Sequence, residues 1–304
     1  MTSVCPYETI ELLGISLEVP RDWQIVRHGL DERKGGLTFT DRSAERMTFH
    51  WNTLEREPDI ARMLQTEWGK SKQTGESSEF REETIDEWRG FRFDDARGTW
   101  LRAVRYDSSS RRLLEVALAL ETAHSRSRAV DRRLLSRVEL KKSELACRFL
   151  AFDIDVTYPS DFVVTKCEVV PASVTLHLES RAPFKRFGAV DSILIRRMGM
   201  ARTWYRGNAL ALLARENPLV DPRKANTREI HGHPGAAART TLSRPLQRWF
   251  GHGRTLGATL WHCDEENAVY HVATRTADGR PLDPDAVQVR CCKWAEGSAP
   301  RGDG

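Results

Sequence analysis

Ile15-Ser-Leu-Glu-Val-Pro-Arg-Asp-Trp23 returns in altered form as Ile154-Asp-Val-Thr-Tyr-Pro-Ser-Asp-Phe162. In both stretches apolar residues alternate with polar ones up to a proline, after which come an Asp and an aromatic. Alternation with period two is the mark of a strand with one buried face, so Ile15, Leu17 and Val19 should point to a core, as should Ile154, Val156 and Tyr158. Proline has no N–H to give the ladder, so pairing ends there and the chain turns. Trp23 and Phe162 are then expected to fold back over their own sheets as core residues.

Working outward, other segments match in the same order. Leu37 and Phe39 correspond to Val174 and Leu176, Met47–Trp51 to 191–195, and Ile85–Phe91 to Ile230–Ala236 with Gly90 opposite Gly235. The hairpin Leu101–Leu120 runs beside Leu256–Arg275 without a gap, which sets Tyr106 on Trp261, Leu114 on Val269 and Val116 on His271. Val138 falls on Val289 and Leu140 on Cys291. A collinear series of this kind predicts a tandem duplication, with copies at 1–144 and 145–294 and a disordered, Gly- and charge-rich tail at 295–304. Within the first copy, Asp59 offers an N-cap to a helix with Ile60, Met63, Leu64 and Trp68 on one face, and Ser127–Leu135 reads as a basic amphipathic helix.

The pattern apolar-x-apolar-x-Tyr/Val-Pro-x-x-aromatic, carried here by Val19-Pro20-Arg21-Asp22-Trp23 and Tyr158-Pro159-Ser160-Asp161-Phe162, resembles the start of the Mog/PsbP-like domain family. The resemblance implies an α+β fold in which a curved antiparallel sheet is flanked by helices as an α/β/α sandwich, once per copy. It also implies a binding or assembly role without catalysis, and it carries no functional residue onto this chain.

At 304 residues, with 40% hydrophobic and 30% charged, the chain has the composition of a globular protein with enough apolar surface for two cores. A net charge of +4 spread through a dense mixture of signs does not by itself call for nucleic acid. Glu8 and Glu11 interrupt the apolar stretch near Met1, so no signal peptide is expected, and no run is long enough for a membrane span. Six scattered cysteines without a disulfide framework suit a reducing, cytoplasmic compartment.

Phosphate loops, nucleophile elbows, His-Glu-x-x-His and Cys-x-x-Cys motifs are all absent from the sequence. One enrichment stands out: His and Cys gather in the second copy, from His231 to Cys292. His231 and His233 would share a face if extended. A four-residue turn at Asp264–Asn267 would pair Cys263 with Ala268 and put His262 and His271 on one face. His231, His233, His262, His271, Cys263 and Cys291 are therefore the candidate zinc ligands. Against metal, no spacing matches a zinc module, and a core histidine with buried free thiols explains the same residues. Arg126, Arg128, Arg132 and Arg133 form the densest basic patch and are candidates for phosphate contact, although a solvated helix face accounts for them equally. The sequence thus points to a non-catalytic binding or assembly module whose partner is another protein. No cofactor is expected, and nucleic acid and membrane are disfavoured. The alternatives are a zinc-binding enzyme or sensor and a nucleic-acid binder.

Overall fold

The computed structural model describes residues 7–73, 80–95, 98–120, 127–141, 145–181, 190–220, 222–241, 254–276, 282 and 286–292. The chain divides into two compact units, Met1–Lys142 and Ser143–Gly304. The first contains β1 (Tyr7–Leu12), β2 (Ile15–Pro20), β3 (Gln24–Gly29), β4 (Lys34–Thr40), β5 (Glu45–Thr53), α1 (Ile60–Gln73), β6 (Phe80–Ile85), β7 (Trp88–Asp95), β8 (Gly98–Asp107), β9 (Arg112–Leu120), α2 (Ser127–Ser136) and β10 (Glu139–Leu140). The second contains β11 (Ala146–Ala151), β12 (Ile154–Pro159), β13 (Phe162–Val170), β14 (Ser173–Ser180), β15 (Ser192–Gly199), α3 (Ala201–Trp204), α4 (Ala209–Glu216), β16 (Asn226–Ile230), β17 (His233–Thr241), β18 (Thr255–Cys263), β19 (Ala268–Thr276) and β20 (Gln288–Arg290).

Each unit holds a seven-stranded antiparallel sheet, ordered β3-β4-β5-β9-β8-β7-β6 in the first and β13-β14-β15-β19-β18-β17-β16 in the second, which is the same path taken twice. In each, the opening hairpin pairs with a short closing strand: β1 and β10 flank β2, and β11 and β20 flank β12. Finer details repeat as well. A bulge separates Ile25 from Arg27 in β3, and another separates Val164 from Lys166 at the matching place in β13. Leu13 and Gly14 turn the first hairpin in the left-handed region, as Phe152 and Asp153 do in the second. Glycine is required at Gly90 and Gly235, where a Cβ would lie 2.0 Å from the Arg102 carbonyl oxygen and 2.6 Å from that of Leu260.

The register also corrects the matching of the last hairpin. Asp107 pairs with Arg112 and Cys263 with Ala268 at the closing ends. Counting outward from these, Trp261 takes the place of Arg105, Tyr270 that of Leu114, and His271 that of Glu115. The gapless match made from sequence was one residue out, and such a slip moves every side chain to the other face.

The α/β/α expectation is overturned. Among the described residues 61% are strand and 14% helix, so the fold is predominantly β. Helices do form where caps and periodicity place them: the Arg62 N–H donates to Asp59 Oδ1 at 3.0 Å at the head of α1. Yet the buried face of the first seven-stranded sheet is covered by a strand and a helix together. Leu17 of β2 meets Met47, Phe49, Val116 and Leu118 around one small void, with Leu134 and Leu135 of α2 beside it. The alternating face of Ile15, Leu17 and Val19 is buried as its pattern requires, as is that of Ile154, Val156 and Tyr158. Two amphipathic segments were legible, but periodicity along one segment does not say whether a sheet or a helix covers a neighbouring face. The stretch 295–304, expected to be disordered, lies outside the described residues.

Phe162 is buried to 3% exposure, whereas Trp23 is only half-buried, with its ring 6.5 Å from that of Phe39. Phe162→Ala should therefore destabilise the second unit by about 3–5 kcal/mol, and Trp23→Ala the first by less than about 3 kcal/mol. Denaturant unfolding of both variants beside wild type checks the order, and equal losses would contradict it.

Candidate functional site

The second unit carries a cleft of about 590 Å³ on one face of its seven-stranded sheet. Its floor comes from β17, β18 and β19, where Ala237, Thr259 and Val272 lie in register across the strands, followed by Gly257 and Thr274. Ile230, Trp261, Leu282 and Val287 add apolar wall, and the exposed side chains of Lys224, Arg228, Glu229 and Arg239 stand around it. The corresponding floor of the first unit, counted from the closing pairs of the hairpins, is Leu101, Ala103, Val116 and Leu118, each no more than 3% exposed. Second-unit equivalents are Gly257, Thr259, Val272 and Thr274, all half-buried. Two leucines have become a glycine and a threonine, and an alanine has become a threonine. Volume leaves the core face and hydroxyls line what remains, which is how a concave, partly polar binding surface is made.

At one end of this sheet the His and Cys residues separate into two groups. His233, Cys263, Cys291 and Cys292 converge, with their ligating atoms all within 4.8 Å of one another. Cys263 Sγ lies 3.2 Å from Cys292 Sγ, and His233 Nε2 lies 3.3 Å from Cys291 Sγ and 3.7 Å from Cys292 Sγ. The first three ligands are buried and Cys292 half-buried. Burial pushes the Cys291 thiol up to about 11 and that of Cys292 higher still, where the neighbouring Cys263 thiol adds to the rise.

The other three histidines go elsewhere. His231 and His233 are not extended neighbours, because His231 holds the left-handed turn of the β16–β17 hairpin at φ 52°, its ring edge-on to Trp261. His262 and His271 do share a face, since Cys263 pairs with Ala268 and His262 with Val269 as expected. That face is the one covered by α4, where His262 packs on Tyr205. His271 Nε2 accepts from Asn217 Nδ2 at 2.8 Å, and Asn217 also donates to Leu213 at the end of α4. Burial, then Arg196, depress His271 to about 4, with Glu216 opposing. Of the six sequence candidates, three join the cluster, and Cys292 is the member that the candidate set lacked.

The described arginines of the Arg-rich helix are exposed and each stands near a carboxylate. Arg133 reaches Glu18 at 3.3 Å and lies over the Tyr7 ring at 3.9 Å, while Arg132 stands 3.9 Å from Asp86. Arg126 and the side chain of Arg128 lie outside the described residues. No helix among the described residues is long and apolar enough to cross a membrane.

No protein-family model matches the chain, and no curated protein matches it. Solved structures of the immunity protein TplEi of T6SS from Pseudomonas aeruginosa are similar to it. The complex with "L" peptide is 11% identical at TM-score 0.35, covering 91% of this chain and 90% of that one. The apo form is 11% identical at TM-score 0.36, covering 95% and 99%. At these TM-scores the likeness assigns neither fold nor function.

Because the folded protein holds His271 neutral, acid favours the unfolded chain. Its contribution is full above the unfolded value of 6.5 and is lost as pH falls from there to about 4, a loss of about 3 kcal/mol. His271→Gln keeps an acceptor for Asn217 and should flatten that part of the stability-versus-pH curve. Urea unfolding of both proteins between pH 4 and 7 checks this, and parallel curves would exclude His271 as the titrating group.

Proposed function

We propose that this chain is a non-catalytic binding module and that the cleft of its second unit receives an acidic, apolar-anchored segment of another protein. The observation that carries the reading is the exchange of buried Leu101, Ala103 and Leu118 for half-buried Gly257, Thr259 and Thr274 on the matching floor. Three cations and one carboxylate around a partly apolar floor, walled by Ile230, Trp261, Leu282 and Val287, favour a ligand with negative charge at its ends and an apolar side chain between them. Nucleic acid fits less well, because phosphate binding draws on a long basic track, and the three cations around the cleft have the carboxylate of Glu229 among them.

Selection of a random displayed peptide library on the intact chain should enrich sequences combining Asp or Glu with a large apolar residue. Arg228→Glu with Arg239→Glu should reduce affinity for the selected peptides at least tenfold, and binding to wild type should weaken with salt. Enrichment without acidic residues, or equal binding by the charge-reversed variant, would overturn the site. Preferential capture of oligonucleotides in place of peptides would overturn the class of partner.

A further inference from the structure

We infer that His233, Cys263, Cys291 and Cys292 bind one zinc ion, which staples the end of the second unit. The ligands come from three separate places: the first residue of β17, the last of β18, and the two residues after β20. Tetrahedral zinc with Zn–S near 2.3 Å and Zn–N near 2.05 Å requires ligand atoms about 3.5–3.8 Å apart. The measured separations of 3.2, 3.3 and 3.7 Å, with none beyond 4.8 Å, surround that range. Three sulfurs and one imidazole nitrogen are the donor set of a structural zinc site, and with four protein ligands no position is left for substrate.

The surroundings agree with an ion. Three thiols crowded about an imidazole have little to offer one another as neutral groups, whereas a dication converts them to thiolates and turns the crowding into attraction. The Trp261 indole N–H, two residues before Cys263 on the same face of β18, is buried without a hydrogen-bond partner among the described residues.

The first unit shows what the ion replaces. Its β6–β7 hairpin closes with Ile85 opposite Trp88, as β16–β17 closes with Ile230 opposite His233. Trp88 is 1% exposed, and its indole N–H donates to the Leu135 carbonyl of α2 at 3.1 Å. Leu140 stands where the second copy has Cys291, since Ile15 pairs with Leu140 and the matching Ile154 lies one position past the pair of Asp155 with Arg290. The first copy thus anchors its closing segment with an indole and a leucine, and the second with a metal.

The full chain, purified under reducing conditions without chelator, should carry one zinc per molecule by plasma mass spectrometry. Cys263→Ser and Cys292→Ser should each lose it, while Cys167→Ser, a thiol in β13 outside the cluster, should retain it. Cobalt exchanged into wild type should give the intense visible bands of a tetrahedral thiolate site, a readout that does not depend on a variant folding. Chelation should lower the unfolding temperature of the wild type and leave that of Cys263→Ser unmoved. Zinc below one-fifth of stoichiometry together with no cobalt spectrum would overturn the inference, as would a Cys263–Cys292 disulfide in protein prepared with zinc present. Stoichiometric iron or copper in place of zinc would overturn the choice of ion. The peptide-binding result stands apart, since no zinc ligand lies among the residues reversed there.

Discussion

A hairpin closed by two residues leaves no slack in its register, and this constraint fixes what each half of the molecule can bury. Leu13 and Gly14 close the first hairpin, and Phe152 and Asp153 close its counterpart, all in the left-handed region. His231 and Gly232 do the same for β16–β17. Once His231 occupies the turn, His233 must open the next strand on the face shared by Gly235, Ala237 and Arg239. The same parity puts Cys263, Trp261 and Thr259 on that face from the neighbouring strand. One turn conformation therefore positions both the imidazole of the thiol cluster and the floor of the cleft.

The two units put the same frame to different physical use. In the first, apolar side chains fill the space between the sheet and its cover of β2 and α2, with Trp51, Trp88, Phe39 and Phe49 nearly inaccessible. In the second, volume has been removed from the floor, and the closing segment is held through sulfur and nitrogen. On the opposite face each unit keeps a helix: α1 sets Trp68 against Phe80 in the first, and α4 packs Leu212 and Leu213 with Ala236, Ala238 and Leu260 in the second. The covered face keeps a core beneath the open one.

Much of this frame was legible in the sequence. Alternation before Pro20 and Pro159 located two strands correctly, and Asp59 located a helix start. The four-residue turn at Asp264–Asn267 gave the pairing of Cys263 with Ala268. Layering was not legible, because a sheet face covered by a strand and one covered by a helix need the same apolar alternation. Nor was the site, because its ligands are spread from His233 to Cys292 and come together only through strand order. Adjacent Cys291 and Cys292 were a local signal, but two neighbours in a strand point to opposite faces, and only the end of β20 lets both sulfurs turn inward. The cleft was hidden by the one-residue slip, which set His271 on Val116 and concealed the exchange of Leu118 for Thr274.

The matching bulges in β3 and β13 bear on how the molecule lives among other chains. Each interrupts the strand that ends its seven-stranded sheet, and each is followed by an exposed cation, Arg27 in one and Lys166 in the other. A bend with a charge at its corner interrupts the straight run of unpaired backbone that a neighbouring strand would need, and it does so beside the exposed Val26 of one edge and on the same strand as the exposed Val169 and Val170 of the other.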